Sequence, residues 1–138
     1  MITGIDLILA DHERVNQLFL EFSETADASC VGQILDALTA HDDAEQAALY
    51  PLAGAVLADT SLLARSATAH SMIKLQMDQI RSLEGAPLVD AVHQLQTIVS
   101  EHVDEEENKL LPALAAKATP AQLEGLAARI EQVKQRVG

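Results

Sequence analysis

Chemistry in this chain is concentrated in two matched stretches, HDDAEQAALYPL from His41 and HVDEEENKLLPA from His102. An offset of 61 residues pairs His41 with His102, Glu45 with Glu106, Leu49 with Leu110 and Pro51 with Pro112. In both stretches His and Glu stand four residues apart. On an α-helix of about 3.6 residues per turn, that spacing leaves them about 40° apart around the axis, so imidazole and carboxylate project together. Two more histidines, His12 and His70, are offset by 58 residues and lie in the segments that precede the two stretches. A mixed set of imidazoles and carboxylates suits iron or manganese, with zinc possible. The lone Cys30 leaves no thiolate cluster and no internal disulfide.

Four segments of helical apolar period must position these groups. The first carries Ile5, Ile8, His12, Val15, Phe19, Phe22 and Ala26. The second, starting near Asp27 or Ser29, carries Ile34, Leu38, His41, Glu45, Ala48 and Leu52. The third follows Asp59-Thr60-Ser61 and carries Leu63, Ala67, His70, Ile73, Met77 and Ile80. The fourth carries Val92, Leu95, Val99, His102, Glu106, Leu110 and Leu114. Thr3 and Asp6 have capping-box spacing at the first start. Gly85 suits the C′ position of the third segment, and Pro87 suits N1 of the fourth. Short connections between long helices favour antiparallel neighbours. The expected fold is all-α, an up-down-up-down four-helix bundle with a short C-terminal fifth helix from Thr119-Pro120, where Gln122 completes a capping box.

Each stripe faces the shared interior, and each is interrupted by one of the four histidines. With Glu45 and Glu106, six polar groups meet in one core. A buried unpaired carboxylate costs several kcal/mol, and two would take much of a domain's roughly 5–15 kcal/mol of stability. A multivalent cation removes the conflict by taking neutral imidazoles and ionised carboxylates as ligands. Two metals bridged by Glu45 and Glu106, each completed by two histidines, use all six groups.

Composition narrows the partners. The 138 residues fit a single domain, 1–138, and the net charge of −12 repels nucleic acid and anionic membrane surfaces. Aromatic residues make up 2%, which argues against base-stacking modules and all-β folds, while 49% apolar residues supply a core. The opening MITGIDLILADHER has no basic n-region and its apolar run stops at Asp11, so neither a signal peptide nor a membrane span is expected. With one cysteine, this points to the cytoplasm; the expected state is a monomer or weak homodimer.

His-x-x-x-Glu twice, each followed by Leu and Pro, with single histidines on the helices between, resembles the haemerythrin-like (HHE cation-binding) domain family. The resemblance extends from the opening DHERV to the closing TPAQLEGLA. It implies a non-haem di-iron centre, oxo- or hydroxo-bridged, with manganese or zinc less favoured. His12, His41, His70 and His102 would be terminal ligands, and Glu45 and Glu106 would bridge. The implied ligand is a small molecule: dioxygen, peroxide or nitric oxide. Both an enzyme-like activity (peroxidase- or catalase-like, or nitric oxide-reactive) and reversible oxygen binding, storage or sensing fit.

The oxygen-carrying members use a fifth histidine, one turn beyond the third-helix His; here that position is Lys74. The loss leaves a coordination position open and tilts the expectation towards reactivity. His93, nine residues before His102, lies about 180° away on the same helix and is read as solvent-facing. Lys74 shares the His70 face, so its stem should line the interior, with Asp42 a candidate partner. Asp42 is also a candidate further ligand. Tyr50 lies about 140° from Glu45 on a regular helix, away from the ligands, though Pro51 disturbs that helix. Asp43, Asp104 and Glu107 fall on outward phases, while Met72, Met77 and Cys30 read as packing residues.

Overall fold

Local capping sets most of the helix boundaries. The computed structural model describes residues 2–137 and contains no strand among them. Helix α1 (Gly4–Thr25) opens with the expected capping box: the Asp6 amide donates to Thr3 Oγ1 at 3.3 Å, and the Thr3 amide donates to Asp6 Oδ2 at 2.8 Å. Its end is Ala26, in the left-handed region at φ 51°, which takes that residue out of the apolar stripe and into solvent. Asp27 caps α2 (Ala28–Ala44) by accepting from the Ser29 amide at 2.9 Å.

Beyond α2 the chain continues without a break through a π turn, Glu45–Leu49, into α3 (Tyr50–Val56). Next comes α4 (Ser61–Ile80), preceded by Asp59, which accepts from the Ser61 amide at 2.9 Å. The last long rod runs from α5 (Gly85–Glu105) through a second π turn, Glu106–Leu110, into α6 (Leu111–Lys117). The closing helix α7 (Pro120–Val137) starts with the Thr119–Gln122 capping box. Gly85 and Pro87 depart from expectation. Gly85 is left-handed, φ 63°, but opens α5 rather than closing α4, and Pro87 is the third residue of α5.

The result is an up-down-up-down four-helix bundle with a fifth helix, α7, packed chiefly on α1, α2 and the first π turn. The interior has two apolar halves. One is built around Phe19, Phe22, Ile34, Leu38, Met77, Ile80, Val92 and Leu95. The other holds Ile8, Ala48, Leu49, Ala53, Leu110, Leu114, Leu126 and Ile130. Along α1, α2 and α5 the buried polar residues fall between these halves, so a polar layer crosses the middle of the bundle. The π turns shift the stripe beyond that layer. Leu49 and Ala53 are the fully buried residues after Glu45, and Leu52 is only half-buried. In α4 Ser66 is buried and Ala67 is exposed, the reverse of the expected stripe.

Candidate metal centre

The polar layer consists of His12 from α1, His41 and Glu45 at the end of α2, His70 from α4, and His102 and Glu106 at the end of α5. All six are buried, and the two glutamates are each 1% exposed. The helical i, i+4 spacing does what it predicts. His41 Nε2 lies 3.2 Å from Glu45 Oε2, and His102 Nε2 lies 3.1 Å from Glu106 Oε2. The helices then close the cluster, bringing His12 Nε2 to 3.0 Å from Glu106 Oε1 and His70 Nε2 to 2.9 Å from Glu45 Oε1.

The donor atoms fall into two sets, each within 4.8 Å of one another: His12, His41, Glu45 and Glu106, and Glu45, His70, His102 and Glu106. Both glutamates belong to both sets. Despite the short distances, His41 Nε2, Glu45 Oε2 and His102 Nε2 are buried with no hydrogen-bond partner of acceptable geometry. Such orphans cost about 1–3 kcal/mol each or more when charged, and a cation among these lone pairs would satisfy them together. The residues therefore fit a metal ion by geometry and by donor chemistry.

Charge in the metal-free cluster is balanced by protons. Burial opposes ionisation of Glu45, but the His41 imidazolium and hydrogen bonds from its neighbours hold its carboxyl well below the usual range. Burial likewise opposes a charged His41, yet the Glu45 carboxylate and Asp11 push it up to about 10. Hydrogen bonds to Glu106 and Glu45 overcome the same penalty at His102, at about 9. A cation would take the place of these protons.

The outer nitrogens of three histidines are held by carboxylates. His12 Nδ1 pairs with Glu107 Oε2 at 2.7 Å and His41 Nδ1 with Asp11 Oδ2 at 3.0 Å, while His70 Nδ1 is hydrogen-bonded to Asp42. Each contact turns the Nε2 of its ring inward. Asp42 thus holds His70 from outside instead of joining the inner donors. Glu107, read as outward-facing, instead reaches across to α1. Among the described residues no carboxylate lies within ion-pair distance of His102 Nδ1.

A regular α-helix would carry Tyr50 away from the ligands, and the π turn overturns this expectation. There the Tyr50 amide donates to the Glu45 carbonyl, five residues back, and the wider turn swings the side chain over the glutamate. The Tyr50 hydroxyl lies 2.6 Å from His70 Nε2, 3.2 Å from Glu106 Oε2 and 3.3 Å from Glu45 Oε1. Burial and the two carboxylates push its ionisation far up, so the phenol stays protonated. The signal for this was Pro51, repeated at Pro112, whose missing amide falls beside each π turn. Lys74, in contrast, is exposed and does not line the interior, although its charge helps to keep Asp42 ionised. His93 is exposed, as expected, with its ring edge-to-face on Phe22.

Between the four histidines and an apolar wall of Val15, Leu38, Ile73, Val99 and Val103 lies a pocket of about 20 Å³. Since one water needs about 10–15 Å³ on that measure, the space admits one water or one diatomic molecule.

A helical bundle with a buried cluster of four histidines and two glutamates defines a cation-binding protein class. Residues 3–114 match the family model of the hemerythrin HHE cation binding domain, and the chain belongs to that family. A DNA nickase of Nostoc sp. (strain PCC 7120 / SAG 25.82 / UTEX 2576) is 34% identical over 140 residues, covering 96% of this chain. The chain spans 39% of that relative's length. The crystal structure of a hemerythrin HHE cation binding domain-containing protein from Mycobacterium kansasii matches with a TM-score of 0.83. At 24% identity, over 99% of this chain and 90% of that one, the likeness is one of fold. Among the described residues no helix is long and apolar enough to cross a membrane.

Proposed function

We propose that this chain is a non-haem di-iron protein that reacts with dioxygen, peroxide or nitric oxide at an open coordination position. The observation that carries the reading is the pair of overlapping donor sets, with their three unpartnered buried atoms, beside a pocket sized for a diatomic molecule. His12 and His41 would serve one iron and His70 and His102 the other, with Glu45 and Glu106 bridging. Bound there, iron would supply redox change and positions open to a small oxidant or nitrogen oxide. The chain's own contribution is to hold four imidazoles with Nε2 inward, to exclude larger molecules with Ile73 and Val99, and to keep a protonated phenol, Tyr50, against His70 and both glutamates. Lys74 at the fifth-histidine position leaves the set one imidazole short, which supports turnover over tidy carriage.

A second reading, reversible oxygen binding for storage or sensing, draws on the apolar wall of the same pocket, since a dry site protects a bound diatomic from protons. The two separate in one experiment on iron-loaded protein. Catalytic consumption of peroxide or nitric oxide, lost in His102→Ala, supports the first. Repeated formation and loss of an oxygenated spectrum without decay supports the second and contradicts the first.

We read residues 1–138 as one such domain, acting in the cytoplasm as a monomer or weak homodimer. The name of the Nostoc relative does not lead us to a nucleic-acid partner. The present chain spans 39% of that protein, and its net charge of −12 disfavours contact with a phosphate backbone.

A further inference from the structure

We propose that Lys134, on the fifth helix, is a positioning residue of the metal centre, fixing the Asp11 carboxylate that in turn orients His41. The proposal rests on the metal-centre reading above and concerns a part of the chain outside residues 3–114, the stretch matched by the family model.

The contacts form a chain from the α7 surface to the cluster. Lys134 Nζ is ion-paired with Asp11 Oδ1, and the other carboxylate oxygen, Oδ2, lies 3.0 Å from His41 Nδ1. Both oxygens are thereby used. Held by Lys134 through one oxygen, the half-buried Asp11 carboxylate is fixed in place with its other oxygen on His41 Nδ1. With Nδ1 held there, Nε2 of His41 faces inward, at an atom that has no partner of its own and that would offer its lone pair to a metal ion in place of a proton.

Packing fixes where Lys134 can be. Leu126, Ile130 and Val133 form a buried i, i+4, i+7 stripe in the apolar half that holds Ile8 and Leu49, and Lys134 follows directly on its edge. Leu126 seats on Gly4, where an added Cβ would come to 2.7 Å of Leu126 Cβ, so the two helices meet at a spot that only glycine permits. Cations are also scarce, nine against 21 acids. Among the described residues, Lys or Arg bridges two different helices in two ion pairs, Lys134–Asp11 and Arg65–Glu105. The first of these continues to a histidine of the cluster.

The test uses the full chain loaded with iron(II), and reads the rate of iron release to a ferrous chelator together with the melting of the metal-free forms. Lys134→Met should speed release about tenfold, in line with the loss expected for a support of a ligand. Lys134→Arg should restore the rate to within about twofold, because a guanidinium can still pair with Asp11. Arg129→Gln removes an α7 cation whose side chain, among the described residues, bonds to Gln132; it should leave release unchanged and controls for net charge. In an Asp11→Asn background, Lys134→Met should add nothing, as residues acting through one another are not additive.

Release from Lys134→Met at the wild-type rate would overturn the proposal. So would an equal acceleration in Arg129→Gln, or an effect that persists in the Asp11→Asn background. Should Lys134→Met fail to fold, judged by its metal-free melt, Lys134→Gln and Lys134→Arg carry the same comparison. Failure of the wild type to retain iron would be a different result, removing the metal-centre reading and this proposal with it.

Discussion

The two hairpins of the bundle repeat one design and support it unequally. Each contributes a lone histidine, a His-x-x-x-Glu pair, a π turn that begins at the glutamate, and a proline just beyond. Yet Tyr50 of the first π turn corresponds to Leu111 of the second, and Asp42 beside His41 corresponds to Val103 beside His102. The fifth helix packs chiefly on the first hairpin, where Lys134 meets Asp11. Thus His41 and His70 are held from outside by carboxylates of the first hairpin, while His102 has no such support. The repeat supplies the ligands twice. Both histidines of the first hairpin are braced, His12 by Glu107 and His41 by Asp11, whereas in the second hairpin Asp42 braces His70 and His102 stands alone.

The largest effect should come from breaking what the hairpins share. Glu45→Ala or Glu106→Ala removes a donor from both sets and should abolish binding of both ions, whereas His12→Ala touches one set and should leave about one ion bound. Metal analysis of each purified variant checks this. Equal loss from glutamate and histidine variants would break the symmetry on which the bridging assignment depends.

Next in size is the bracing. Asp42→Asn should weaken metal affinity about 10–100-fold through His70, as is usual for the partner of a liganding histidine. Competition with a chelator measures it. An unchanged affinity would show that the inequality between the hairpins has no energetic consequence.

Tyr50→Phe removes the hydroxyl that Leu111, its counterpart in the second hairpin, does not carry. Metal content should stay near wild type, while peroxide consumption falls about tenfold, the scale of one hydrogen bond to charged groups. Stopped-flow assays with metal content measured in parallel distinguish this from ligand loss.

The smallest effect is on pH dependence. In the metal-free fold, His41 at about 10 and His102 at about 9 lie above the unfolded value near 6.5. Their contribution to stability is therefore complete below pH 6.5 and is lost as pH rises through 9 to 10. Metal-free protein should melt several degrees lower at pH 10 than at pH 6, and metal-loaded protein should lose less, because a cation replaces those protons. Parallel melting curves for the two forms would show this, and identical slopes would count against it.

Much of this was legible in the amino-acid order, because helical period and liganding spacing are both local. His12, His41, Glu45, His70, His102 and Glu106 interrupt apolar stripes at inward phases, and the four long rods follow from those stripes and their caps. What escaped depends on a register that period cannot show. The π turns rotate the residues that follow them, which brings Tyr50 over the ligands and passes burial from Leu52 to Ala53, while Glu107 reaches His12 by the length of its side chain. The Lys134–Asp11 contact joins positions 123 residues apart and arises only when α7 docks on α1. Lys74 shows the opposite limit: a correct helical phase, with a side chain long enough to leave the interior for water.

The central claim is that one chain carries two iron ions held by a shared pair of glutamates. Its most direct test is metal analysis of protein purified without chelators and reconstituted anaerobically with iron(II). The account predicts about two irons per chain, bound to the six residues of the polar layer. A stoichiometry near zero would contradict it, and a stoichiometry of one would contradict the bridging role of Glu45 and Glu106.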